Sequence, residues 1–323
     1  MTMINVITFN KEGRDSFIDF LKAYAIVFVL FGHTFPFLQE VGYGLYGQMQ
    51  VPIFLLIQVF HTFKTEKSIR IGKIWTRIIR PFLYAQFLIV ICIVVCYGAD
   101  KLLIYKALSW GGYGPGSYYP YIYIQFAFLL PLCRKWFKGK SEISIAIALI
   151  LICEICEIIF SVLDLPDSIY RLLCIRYLFL IYFGKKWVDK GIIMTKTTWV
   201  LSGLSLCLCI YFGYIATDTE PLFYNTGWKF HRWPCYYYVS HLLVYILYVI
   251  YSYITKFDFV VNCTRVLSQA SYEIFLSQMV LIYLIPSSIA SNNVLSFGIW
   301  FISIWVLSLT LGVVINKINT IYG

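Results

Sequence analysis

Apolar stretches of the length that crosses a bilayer recur along the whole chain, separated by short breaks that hold the charged, glycine and proline residues. They fall at 17–38, 43–63, 81–97, 119–136, 142–162, 168–187, 198–217, 235–254, 272–291 and 295–316. A helix rising 1.5 Å per residue needs about 20 apolar residues to cross the hydrocarbon, so each stretch predicts a transmembrane helix. The pattern predicts an all-α, polytopic transmembrane helical bundle of about ten spans. One membrane domain then occupies residues 1–323, with no internal repeat.

Composition agrees with lipid as the solvent. Of 323 residues, 60% are hydrophobic and only 13% charged, which excludes an ordinary soluble globular domain. The net charge of +10 does not imply nucleic acid, because the basic residues sit in short loops and form no stripe interleaved with aromatic rings. They predict topology instead. Lys64, Lys67, Arg70, Lys73, Arg77 and Arg80, then Arg134, Lys135, Lys138 and Lys140, then Lys185, Lys186, Lys190 and Lys196 fall on alternate breaks, whereas the breaks between hold only Lys101, Lys106, Lys229 and Arg232. Cytoplasmic loops carry the excess of Lys and Arg, so both termini are expected in the cytoplasm. The first stretch has no small-residue cleavage site behind it and carries Lys22 and His33, so it is expected to stay as the first span. The ten cysteines lie in or at the ends of apolar stretches; the CxxC of Cys153 and Cys156 lacks a second pair at zinc-site spacing, and no metal site is predicted.

Ionisable groups inside spans are costly, which makes each a candidate for function. Lys22 and His33 are eleven residues apart, roughly 16 Å and about three whole turns, so both lie on one face of the first helix. His33 has the chemistry of a general base; the alternative is a histidine bonded across helices for packing, and Lys22 also fits a snorkelling lysine. Arg77 and Arg80, with Lys73 before them, share a face at the entrance to the third span, where guanidinium groups suit the phosphates of a cytosolic coenzyme or simply anchor the loop. Glu154 and Arg176, from adjacent antiparallel spans, reach one depth and are expected to form a structural ion pair. Trp110, Tyr118 and Tyr119, at the end of the longest outer loop, offer rings for stacking on a sugar or for the interfacial aromatic belt; His241 is the other histidine expected near the depth of His33.

The stretch RDSFIDFLKAYAIVFVLFGH, from Arg14 to His33, has Asp19, two residues, the basic Lys22, ten residues and then histidine. With VPIFLLIQVF around Pro52, RIIRPF at Arg77 to Phe82 and SYEIFLSQ at Ser271 to Gln278, it resembles the acyltransferase-3 family of membrane-bound acyltransferases, which O-acetylate cell-envelope polysaccharides and related acceptors. The resemblance implies that His33 is the catalytic histidine, that Lys22 holds a position where many members have arginine, and that Arg77 and Arg80 are the basic pair that handles the acyl donor. Gln58 replaces the usual small residue of the second helix, and Gln278 stands where the late helix often ends in histidine. The chain resembles the stand-alone form that lacks a soluble esterase-like domain.

The expectation is an O-acyltransferase in a bacterial plasma membrane. It takes acetyl-CoA or another short acyl-CoA from the cytosol, docked at Arg77 and Arg80, and passes the acyl group past Lys22 to a glycan or lipid-linked sugar hydroxyl at His33. His33 acts as base or assists a covalent acyl relay, and Asp19, three residues before Lys22 on the same face, pairs with a basic residue near the inner surface. The rival expectations are a transporter or flippase for a lipid-linked sugar and a non-catalytic polysaccharide-assembly subunit.

Overall fold

The structure, a computed structural model, describes residues 5–7, 15–35, 42–65, 70–102, 104, 107, 111–215, 232–285 and 294–322. Almost all of them are helical: α1 (Ser16–Thr34), α2 (Tyr43–Tyr46), α3 (Gln50–Thr65), α4 (Ile71–Tyr97), α5 (Tyr119–Phe137), α6 (Glu142–Val162), α7 (Asp167–Leu172), α8 (Leu180–Lys190), α9 (Lys196–Ile215), α10 (Trp233–Ile254), α11 (Asp258–Gln269), α12 (Ser271–Leu284) and α13 (Val294–Tyr322). Among the described residues six helices, α1, α4, α6, α9, α10 and α13, are long and apolar enough to cross a membrane.

α1 is the hub. Asp15 caps its first turn by accepting the amides of Phe17 and Ile18, and the helix then packs against α3, α11 and α12. Its apolar face, with Leu21, Ala25, Ile26 and Leu30, is fully buried. α4, α6 and α13 instead present rows of exposed apolar side chains at helical spacing, among them Leu83, Phe87 and Ile91, Ile147, Leu151 and Ile158, and Ile299, Ile302 and Val306. In water such rows would be an aggregation hazard; against lipid tails they are the expected outer surface. The track carrying Lys22 and His33 is therefore inside the bundle, and the lipid-facing helices surround it.

Several elements depart from the predicted ones for identifiable reasons. The stretch at 43–63 is divided by a turn at Gly47, where a side chain would collide with the Tyr43 ring. α4 begins ten residues before Pro81: the π-helical turn at Trp75–Ile79, closed by the Arg80 amide on the Trp75 carbonyl, widens the helix just ahead of the proline ring and lets it continue. The stretch at 168–187 is broken between α7 and α8. There the Gln125 side chain donates to the Leu172 carbonyl at 2.6 Å and accepts the Cys174 amide at 3.0 Å, which supplies the partners that broken backbone at membrane depth requires. α11 arises in a segment with no long apolar run, because its amphipathic face is covered by α1. The two-stranded antiparallel pair of β1 (Asn5–Ile7) and β2 (Ile192–Met194), with Val6 opposite Ile193, is too short to leave an alternating pattern in the sequence.

The buried charges at the far end of α6 also differ from expectation. The predicted pair was Glu154 with Arg176; the pair found is Glu157 with Arg232, at 3.3 Å. Glu154 instead accepts the indole N–H of Trp233. Arg176 lies 4.4 Å over the Tyr170 ring, whose hydroxyl donates to Glu157, and is within electrostatic reach of that same carboxylate. Arg232 and Trp233 come to α6 from the break before α10, far from both in the sequence.

Candidate active site

One cavity of about 1920 Å³ penetrates the bundle, walled by α1, α3, the start of α4, the glycine-rich turn before α5, and α11 to α13. Single-ligand pockets rarely exceed about 1,000 Å³, so this one has room for two substrates together. Its lining groups about two levels of α1: His61 lies within electrostatic reach of Lys22, and Arg77 and Asn319 address Glu273 before the Gln278 level of α12, whereas Gly116 lies beside His33 and Arg171 over the neighbouring Tyr118. The helical rise between Lys22 and His33 separates the two levels by roughly 16 Å.

His33 is held by a buried glutamine of α12. Its Nδ1 lies 3.2 Å from Oε1 of Gln278, and the Gln278 amide nitrogen donates to the Leu30 carbonyl at 3.3 Å. A carbonyl only accepts, so the second bond fixes which way the amide faces. Oε1 also only accepts, so a neutral His33 carries its proton on Nδ1 and keeps its Nε2 lone pair for a proton from elsewhere. Both neighbours of the ring are glycines for steric reasons. A side chain on Gly32 would collide with Tyr43, whose hydroxyl donates to the Phe28 carbonyl. Gly116 has φ +79°, and a Cβ there would lie 2.8 Å from the Phe275 ring and 3.8 Å from Cε1 of His33. The turn that carries Gly116 is clamped to α4 by Gln86, which accepts the Tyr113 amide at 2.7 Å and donates to the Tyr113 carbonyl at 2.9 Å.

At the opposite level, the buried carboxylate of Asp19 accepts the Ser268 hydroxyl at 2.6 Å, which ties α11 to α1 beside Lys22. His61 of α3 lies within electrostatic reach of Lys22 and Asp19. Arg77 occupies the π-helical turn and is within reach of Tyr123 and Glu273; the Tyr272 hydroxyl, donating to the Ile78 carbonyl at 2.9 Å, braces that turn against α12. Arg80 also lines the cavity; Lys73, Arg77 and Arg80 are all exposed, and of the three only Lys73 does not line it.

Of the residues expected to meet a sugar, Tyr118 and Tyr119 line the cavity near His33. Trp110 lies outside the described residues. His241 is buried away from the cavity, stacked on Tyr237 at 5.8 Å and edge-on to Phe183 at 5.4 Å, where it packs. His61 and Arg171 also line the cavity, and Gln86 holds the turn beside it. Among the described residues no group of three or more His, Cys, Asp or Glu side chains is placed to hold a metal ion.

A family model described as an acyltransferase domain matches residues 15–317, nearly the whole chain. No curated protein and no solved structure matches.

Proposed function

The chain belongs to the acyltransferase-3 family of membrane acyltransferases, and we propose that it transfers an acetyl or other short acyl group from cytosolic acyl-CoA to a hydroxyl of a cell-envelope or exported glycan. The observation that carries this reading is a cavity lined both by Arg77 and Arg80 and by a histidine whose Nδ1 faces the Gln278 acceptor. With the basic loops toward the cytosol, both termini are cytoplasmic and the arginine end opens inward, as in about ten crossings of a bacterial plasma membrane. The two guanidinium groups suit the phosphates of coenzyme A, each able to make paired charge-assisted hydrogen bonds. The thioester then lies up the track beside Lys22, with its carbonyl near His33.

There the acceptor hydroxyl loses its proton to Nε2 of His33 as its oxygen attacks the thioester carbonyl carbon. A C–O bond forms, the C–S bond breaks, and the departing coenzyme A thiolate takes up the proton. Asp19 and Ser268 hold α11 and the Lys22 level of α1 together, a positioning role. A cavity reaching both levels is also what a transport path for a lipid-linked sugar needs; family membership and the committed Nδ1 proton favour transfer.

The test uses membranes containing the protein, radiolabelled acetyl-CoA and crude envelope glycan. Each charge-assisted hydrogen bond is worth about 1.5–3 kcal/mol, so Arg77→Ala or Arg80→Ala is expected to raise the KM for acetyl-CoA about 10- to 100-fold. An unchanged KM in both variants removes the donor site. Absence of label transfer by the wild-type protein removes the enzymatic reading in favour of transport or assembly.

A further inference from the structure

Charge along the cavity is divided unevenly. Of the four lysine and arginine residues among its described lining, Lys22, Arg77 and Arg80 lie toward the inner level, and so does Glu273, its one lining carboxylate, which faces Arg77. The fourth cation, Arg171 in the last turn of α7, lies toward the His33 level. That end of the cavity thus presents a guanidinium. A guanidinium in a cavity wall can offer a planar pair of donors to an oxyanion.

The placement of Arg171 ties it to the reacting centre. Its guanidinium carbon lies 4.9 Å over the ring of Tyr118, which holds the flat group against the wall. Tyr118 is two residues from Gly116, whose missing side chain is what keeps the wall open beside His33. Arg171, Tyr118, Gly116 and His33 therefore form one short continuous surface, with the half-buried ring of Tyr119 next to it. A sugar laid on this surface with an acidic group on Arg171 brings a neighbouring hydroxyl toward Nε2.

Resting on the acyltransferase reading above, we propose that the acceptor is an anionic glycan, whose carboxylate or phosphate is bound by Arg171 so that a hydroxyl on the same or the adjoining sugar is presented to His33. Guanidinium binds both oxyanions through two parallel hydrogen bonds, and the cavity does not separate the two sources. The acyl donor keeps Arg77 and Arg80; the acceptor has its own cation at the far level.

Envelope glycan is fractionated by anion exchange and each fraction is incubated with wild-type membranes and radiolabelled acetyl-CoA. Label is expected in the anionic fractions. Carbodiimide and borohydride reduction of carboxyl groups abolishes acceptance if the anion is a uronate; mild hydrofluoric acid abolishes it if the anion is a phosphate ester. Arg171→Gln is expected to raise the KM for the anionic glycan about 10- to 100-fold and leave the KM for acetyl-CoA unchanged, with Arg171→Lys intermediate; the acetyl-CoA KM reports that the variant is folded. Label confined to neutral glycan, or an acceptor KM unaffected by Arg171→Gln, overturns the proposal and leaves acyl transfer standing. Absence of label in every fraction overturns both.

Discussion

Replacing His33 by alanine lowers acyl transfer about 10²–10⁴-fold, the usual contribution of a positioned general base, with the KM for acetyl-CoA little changed. The loss falls on kcat because the phosphates of the donor are held by Arg77 and Arg80 and not by the imidazole. The same geometry separates His33 from its support. Gln278→Leu keeps the imidazole but leaves its Nδ1 proton without the 3.2 Å acceptor. An unsatisfied buried donor costs about 1–3 kcal/mol, and here the cost is met by the ring turning or changing tautomer, so kcat is expected to fall about 10-fold or more. Gln278→His, which restores an acceptor, is expected to keep more activity than leucine. Equal activity in the leucine and histidine variants would show that Gln278 only packs.

The largest effect on stability is expected at the far end of α6. Arg232 and Glu157 have side chains only 4% and 8% exposed. Removing one member of a buried ion pair leaves the other charge desolvated, at a cost of about 3–5 kcal/mol. Arg232→Met is expected toward the lower figure, because Arg176 and the Tyr170 hydroxyl still address Glu157. The double variant Glu157→Gln with Arg232→Met recovers much of the loss by removing the stranded carboxylate. Thermal unfolding in detergent checks both. Arg232 lies outside the cavity lining, so transfer per folded molecule should not change. A single variant that melts with the wild type would remove the pair from the stability of the fold.

Part of the first helix was legible because its chemistry is local: Lys22 and His33 both line the cavity from one face of α1, as helical spacing predicts. Arg77 and Arg80 were legible for the same reason, since three residues of helix put them on one wall. What the sequence hid depends on partners distant in the chain. Nothing near Leu172 marks a break, because the amide that satisfies it belongs to Gln125 on another helix. Asp19 meets Ser268 across 249 positions, on a helix whose twelve residues carry no run of spanning length. Gln278 was visible only as a departure from the family pattern, and its role follows from facing His33. His241 illustrates the reverse error. Its depth suited a site, but its azimuth turns it into the aromatic packing of Phe183 and Tyr237.

The account stands on the cavity as the route by which an acyl group travels from the arginine wall to His33. A cryo-electron microscopy map of the protein with a non-hydrolysable thioether analogue of acetyl-CoA tests this most directly. The predicted map has the phosphates against Arg77 and Arg80, the pantetheine arm passing Lys22, and the acyl carbonyl in the space between His33, Gly116 and Phe275. A map with the analogue outside this cavity, or with its acyl end directed away from His33, contradicts it.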